Sequence, residues 1–567
     1  MEERSKNKIQ EKMDAYFDES INSSSYRQEQ IKDRLNMRKQ KVFNLLFSKR
    51  KDYLQTPVNG RNEIDINSLD CAEDIKKNVN EYLKSGYDIK QWFKYIFSSN
   101  KNHIYVALYL LRRYIELQLL ELDAKKRMLS RNDTELIQKL VDYLLNDDIK
   151  ISYNSCACLT NLSYFPSHIE KRINSERNLE IYLKFFNIIT KNISAYSPKS
   201  LVLFLNIATD PDVKVYLMKH NFIEGFFEFV ASIINGKIIF NNDLDELETI
   251  KNCVRILHQL ILVCELVDKN YFKYFVQFIP YLKIITSKYF VNIDNIVFNE
   301  DECKYLIDLW HIYNKYSREN NIIIEIIKDN FTQILIKFYK KLKTIGLKIK
   351  FAEIFCDFSC VEGECNQMII NDGLFQLFSE EIDKYQYSNV ILLTYLIFAC
   401  SNFAIGSIED NKILLNLGII YKVMDIAIFY IDDKLDSEII SLLTNCINFF
   451  IKHIDFIDSE SKKQIIVYKN SLIIKIFCKA LKLDLERFEK LKITQNIILT
   501  IKDLNVVSEE LSEEKEKDYD MACISNSLVD ILNNLYNKSN FEPILKEVMT
   551  EIIEFIKDKE KNNILNF

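Results

Sequence analysis

The sequence predicts an all-α chain: a right-handed superhelical solenoid of stacked helical repeats that carries a basic helical N-terminal arm. Three observations predict it. Turn residues are scarce, an apolar helical unit recurs about every 45 residues, and a cationic stretch without Gly or Pro precedes the first unit. Only nine Gly and six Pro occur in 567 residues. Dinucleotide-binding folds, barrels and propellers need turn glycines in quantity, so the deficit argues for helices joined by short turns.

The arm comes first. Residues 27–51 read RQEQIKDRLNMRKQKVFNLLFSKRK, with nine Lys or Arg opposed only by Glu29 and Asp33. The local charge of +7 stands against a total of −6, which leaves −13 on the remainder. A basic arm before an acidic helical body reads as a nucleic-acid tail, a docking peptide for an acidic partner, or a solvated tail. Phe43, Leu46 and Phe47 read as the apolar stripe of the arm helix. That leaves no aromatic platform for bases, and the acidic body disfavours nucleic acid as a partner. Residues 53–67, with Pro57 and Gly60, read as a linker, and 68–567 as the solenoid.

Each repeat is an apolar helix bearing an Asn or a substitute, a short polar turn, a second helix, an Asn/Gly turn and another apolar run. A leading unit lies near Ile89–Leu119. The markers that follow are Asn161, Asn206, His258, Asn314, Asp357, Asn402 and Asn448, and two trailing units reach about Lys559. The spacing is 45 from Asn161 to Asn206, 108 across the two repeats to Asn314, then 43, 45 and 46. Periods of this size are those of armadillo and HEAT repeats, which gives about nine or ten units. Such units cannot bury their apolar faces alone and must stack into one continuous core. Two acidic runs, Asp243–Glu248 and Ser508–Asp520, are expected to be loops between helices.

Other classes find little support. Thirteen cysteines are scattered through apolar runs with no CxxC pair, as expected of buried free thiols in a reducing compartment, and no metal or cofactor is expected. The longest apolar stretch, Gly418–Ile431, is interrupted by Lys422 and Asp425, so no membrane span is read. The charged start MEERSKNKIQ has no apolar core, so no secretory signal is expected. No P-loop, GxGxxG, GxSxG or HExxH motif is present, and an enzyme is not expected.

A basic arm before about ten armadillo-like repeats resembles importin-alpha, the nuclear-import adaptor family, over nearly the whole chain. The arm pattern is carried by Met37, Arg38, Lys39, Lys41, a spacer, then Lys49, Arg50 and Lys51. The resemblance implies that these cations, with Arg34, bind importin-beta. It implies further that a nuclear export receptor recycles the chain, which then shuttles between cytoplasm and nucleus. It also implies that third-helix asparagines hold the backbone of a basic nuclear localisation signal in a cargo protein, in the concave groove. The positions implied are Asn161, Asn206, Asn314, Asn402 and Asn448: Asn161 and Asn206, with Asp210 fixing a lysine, in the main groove, and Asn402 and Asn448, with Phe398, in a second, shorter groove. Asn suits the task because its amide both donates and accepts.

The family places a Trp four residues before each Asn, to pack against lysine stems. Those positions here are Ala157, Val202, Val254, Trp310, Glu353, Phe398 and Thr444, so only Trp310, and in part Phe398, keep an aromatic wall. Shallow lysine pockets are therefore expected. Because Lys49–Lys51 resemble such a signal, self-occupation of the groove is expected too, relieved by importin-beta. The rival reading is an armadillo scaffold outside transport, dedicated to one protein partner.

Overall fold

The computed structural model describes Glu73, Lys76, Lys77 and residues 94–118, 133–163, 173–240, 242–291, 300–319, 322–359, 364–404, 407–432, 437–483, 487–538 and 541–565. The arm and the 53–67 linker lie outside the described residues. Among the described residues the secondary structure is helical throughout, as the turn deficit predicts. The chain forms an armadillo-type solenoid fold whose described part divides into two compact units. One runs to Phe229 and includes Ile239–Asn252; the other comprises Val230–Ile238 and Cys253–Phe567.

The first unit contains α1 (Lys101–Gln118), α2 (Asp133–Tyr143), α3 (Ile149–Leu162), α4 (Glu176–Lys191), α5 (Val202–Ile207) and α6 (Pro211–Lys219). Local chemistry sets the helix starts. Asp148 accepts from the Lys150 amide to cap α3, and Asp210 accepts from the Asp212 amide to cap α6, with Pro211 in the first turn. An aromatic cluster of Phe185, Phe186, Phe204, Phe222 and Phe226 fills the core between them. Helices α7 (Phe222–Ile234) and α8 (Asp243–Ile261) each contribute residues to both units.

The second unit repeats a three-helix group. After α9 (Ile279–Ile285) and α10 (Glu300–Glu319) come α11 (Ile323–Ile327), α12 (Phe331–Lys341) and α13 (Ile345–Phe358). Next are α14 (Glu364–Asn371), α15 (Leu374–Tyr385) and α16 (Val390–Phe403), then α17 (Ile408–Asn416), α18 (Ile419–Tyr430) and α19 (Ser437–Asp455). The chain continues through α20 (Ser459–Val467), α21 (Leu472–Lys482) and α22 (Arg487–Ser508). It ends with α23 (Glu513–Ser525), α24 (Leu528–Lys538) and α25 (Pro543–Leu565). The third helices α10, α13, α16, α19, α22 and α25 are those that carry, or align with, the Asn markers, and α13, α16, α19 and α22 pack in succession.

The turn between first and second helices takes a left-handed backbone in each repeat: Asn330 (φ 56°), Gly373 (φ 84°), Gly418 (φ 69°), Ser471 (φ 59°) and Ser527 (φ 56°). Gly and Asn are the residues that tolerate this region most readily, which is the physical content of the Asn/Gly turn in the sequence. The capping box of Ser407 and Asp410 starts α17, and Asp458 caps α20.

Two expectations are corrected. Asp243–Glu248 and much of Ser508–Asp520 are helical, at the starts of α8 and α23. Carboxylates in a first turn complement the positive end of the helix dipole, so these acidic runs promote helix starts rather than breaking them. No single described helix is long and apolar enough to cross a membrane; α17 and α18 would pass together by length and composition but are bent by 65°. The ten cysteines whose side chains are described are all buried.

Candidate functional site

In the first unit, the residues read as the main cargo groove are engaged in the fold. Asn161 is buried on α3, 4% exposed. The Asn206 amide donates to the Thr160 carbonyl (3.2 Å) and to Ser163 Oγ (2.8 Å), tying its own repeat to the end of α3. Asp210 is a helix cap: one carboxylate oxygen accepts the amides of Asp212 (2.9 Å) and Val213 (3.5 Å), and the other accepts from Asn174 (3.4 Å). The Asp-Pro-Asp sequence opening α6 carries that capping signal.

In the second unit, Trp310 is a core residue and lines no groove, a correction to its reading as an aromatic wall. It is 1% exposed, its indole donates to Thr286 Oγ1 (2.9 Å), and its ring packs on Phe331. Asn314 is likewise 1% exposed and clamps two repeats, donating to the Ile354 carbonyl (3.1 Å) and to Asp357 (2.8 Å). The accessible stripe of α10 lies one residue further on, at Asp308, His311 and Lys315. One residue is 100° of helix rotation, enough to move a whole stripe from surface to core.

The polar groups on this stripe face partners on neighbouring elements. His258 and Lys350 both approach Asp308, His311 lies 3.6 Å from Glu353, and Lys315 is 3.1 Å from Glu265. The hydrogen bond and charge of Glu353 add to burial in pushing the Tyr395 phenol up to about 12. Tyr395 is thus protonated at neutral pH.

From α16 onward the face changes character. Its accessible positions on α16 are Ile391, Thr394, Tyr395, Phe398 and Asn402, at the i, i+3, i+4, i+7, i+11 spacing of one helical stripe. Phe398 is 41% exposed, whereas Leu392, Leu393, Leu396 and Ile397 on the opposite side are buried. On α19 the corresponding stripe is Ser441, Thr444, Asn445 and Asn448, and the Asn445 amide donates to the Thr394 carbonyl (3.4 Å), which sets the two stripes side by side. On α22 it is Gln495, Asn496 and Leu499, with Leu499 48% exposed.

Phe398, Asn402 and Asn448 lie on the accessible sides of the neighbouring third helices α16 and α19. The structure adds Tyr395, Asn445, Gln495, Asn496 and Leu499, which a search at marker positions alone does not reach. Their signal is the helical spacing from each marker. The arm residues Arg34, Arg38, Lys39, Lys41, Lys49, Arg50 and Lys51 lie outside the described residues. Among the described residues no group of His, Cys, Asp and Glu could hold a metal ion.

No family model matches the chain, and no curated protein matches it in sequence. Solved structures do match its fold. An engineered protein aligns with 83% of this chain and 99% of its own at 14% identity, with a TM-score of 0.55. A chain from a structure concerned with a phosphorylation switch in the interaction between cadherin and beta-catenin aligns with 83% of each chain at 9% identity, with a TM-score of 0.56. A designed armadillo repeat protein aligns with 48% of this chain and 99% of its own at 13% identity, TM-score 0.36. At such identities the first two likenesses, with TM-scores above 0.5, show the fold alone.

Proposed function

We propose that this chain is a protein-binding adaptor of the nuclear-import type. An extended segment of a cargo protein lies across the third-helix face of α16, α19 and α22, and residues 27–51 dock the loaded chain to importin-beta. A nuclear export receptor would return the chain, which shuttles between cytoplasm and nucleus. The observation that carries the reading is the row of half-buried amides, Asn402, Asn445, Asn448 and Asn496, on consecutive third helices. Amides at the helix–helix spacing offer donors and acceptors to an extended main chain without reading its side chains. The arm supplies the second half: long cations on several faces of one helix suit an acidic enclosing partner, with salt sensitivity to match.

A pull-down with importin-beta tests it, using the intact chain and one lacking residues 1–52. Capture of the intact chain alone supports the adaptor. Equal capture of both, or of neither, removes importin-beta from the reading and leaves a scaffold for one dedicated protein partner, which uses the same face without the arm.

A further inference from the structure

The same face says what chemistry the bound segment has. In a chain that is 28% charged, no Asp, Glu, Lys or Arg occurs within 390–403, 439–451 or 493–501, the parts of α16, α19 and α22 that build it. On the preceding third helices Lys350 pairs with Asp308, and Glu353 lies 3.6 Å from His311 and accepts from the Tyr395 hydroxyl at the edge of the face. Beyond the face the stripes become charged: Lys502 is paired with Glu551 at 2.5 Å, Asp503 lies 3.9 Å from Lys462, and Lys452 and Asp455 continue the α19 stripe. The exposed part combines apolar surface from Ile391, Phe398 and Leu499 with side-chain amides. A lysine or arginine laid across the middle of the face, over Phe398, Asn445 and Asn496, would lose water and meet no carboxylate from these stretches of α16, α19 and α22, and an unpaired ion in a partly dry site is strongly disfavoured. An aliphatic or aromatic side chain would bury its surface on Phe398 and Leu499 while the amides hold its backbone.

We infer that this face takes an extended peptide segment whose docked side chains are uncharged, aliphatic or aromatic, and that it is not a site for a basic localisation signal. The inference rests on the proposed use of the third-helix face for peptides, and it replaces the charge-reading chemistry expected of that groove.

The test is a display selection of random dodecapeptides on the full chain, with each enriched peptide then titrated by fluorescence polarisation. The titrations use the wild type, Phe398→Asp, Asn448→Asp and Phe398→Leu, all checked for helix content by circular dichroism. The expected peptides are uncharged and bind with little change between about 0.05 and 0.5 M salt. They lose at least tenfold in affinity with either Asp variant and keep it with Phe398→Leu. The octapeptide (KR)4 gains affinity for Asn448→Asp over the wild type.

Enriched peptides rich in Lys or Arg, salt-sensitive and dependent on Phe398 and Asn448, would overturn the inference while the peptide-binding reading stands. Peptides that ignore all three variants, or no enrichment at all, overturn both. A concentration-dependent doubling of mass that Phe398→Asp abolishes would assign the face to a second copy of the chain instead.

Discussion

Lys348 and Glu381 form an ion pair at 2.9 Å that is almost wholly buried, 3% and 7% exposed, between α13 and α15. The Tyr339 hydroxyl donates to the same carboxylate at 2.7 Å, and the ammonium sits 4.4 Å from the Tyr339 ring centroid. Burial, and then that bond and the charge of Glu381, hold the phenol well above its ordinary range, so it remains a donor. Glu381→Leu removes the counter-ion and the acceptor together. The lysine is left charged in the interior, a loss of about 3–5 kcal/mol, while Tyr339→Phe alone costs about 1.5–3 kcal/mol. The triple variant Tyr339→Phe, Lys348→Met, Glu381→Leu leaves nothing unpaired and returns to within about 1 kcal/mol of the wild type.

Repeat arrays open locally, so the assay is hydrogen exchange on peptides spanning α12, α13 and α15. Glu381→Leu should speed exchange there by about two to three and a half orders of magnitude, and the triple variant should restore protection. The cluster borders a cleft of about 550 Å³ lined also by Lys340, Lys343 and Lys384. If Glu381→Leu exchanges less than about tenfold faster, Lys348 has swung into that cleft and the pair contributes far less than its burial implies.

Asn314→Ala should lower stability by about 1–2 kcal/mol through its two lost bonds and leave peptide affinity unchanged; a selective loss of peptide binding would return Asn314 to the groove. Burial raises the Asp520 carboxyl to about 6 despite Lys559, with Glu516 adding to the rise. The folded state then binds this proton more tightly than the unfolded one, so the contribution of Asp520 to stability falls as pH rises from about 4 through 6. Asp520→Asn should therefore raise the melting temperature near neutral pH and not below about pH 4; a uniform shift refutes the assignment. Burial lowers His453 to about 3, so stability is lost as pH falls from about 6.5 toward 3, and His453→Gln should flatten that acid slope in pH-dependent melts. Arg38→Glu with Lys39→Glu should weaken importin-beta binding by about 2–5 kcal/mol; unchanged affinity in calorimetry removes those residues from the interface.

The repeat was legible because its parts are local. The left-handed Gly/Asn turns and the Asp caps each act within a few residues of sequence, and the Asn markers recur at a regular spacing although Asn206 and Asn314 bond across repeats. Helix rotation was not legible. Trp310 and Asn314 stand four apart on α10, as Phe398 and Asn402 do on α16, yet the first pair is core and the second surface. What decides is packing against Thr286, Phe331 and Ile354, residues 21 to 40 positions away. The hint in the sequence was charge: Asp308, His311 and Lys315 share a stripe that a buried face does not accept without partners. The acidic runs at α8 and α23 misled for the opposite reason, since solvated carboxylates suit a helix start as well as a loop.

The neutral face also bears on how the arm and the groove are coupled. Self-occupation by Lys49, Arg50 and Lys51 requires a surface on which cations gain more than they lose in hydration. Tethering raises the effective concentration of the arm, to about millimolar for a short flexible linker, but it multiplies whatever affinity the contact has and does not create one. Across α16, α19 and α22 there is no carboxylate for those cations to meet within 390–403, 439–451 and 493–501. A peptide bound there should therefore show the same affinity for the intact chain and for one lacking residues 1–52. Its affinity should not change on addition of importin-beta, because a ligand without preference between two states shifts neither. Tighter binding of an uncharged peptide after removal of the arm would mean that the arm reaches this face by contacts other than charge. That result would place the coupling in the apolar stripe of Phe43, Leu46 and Phe47 rather than in the cations.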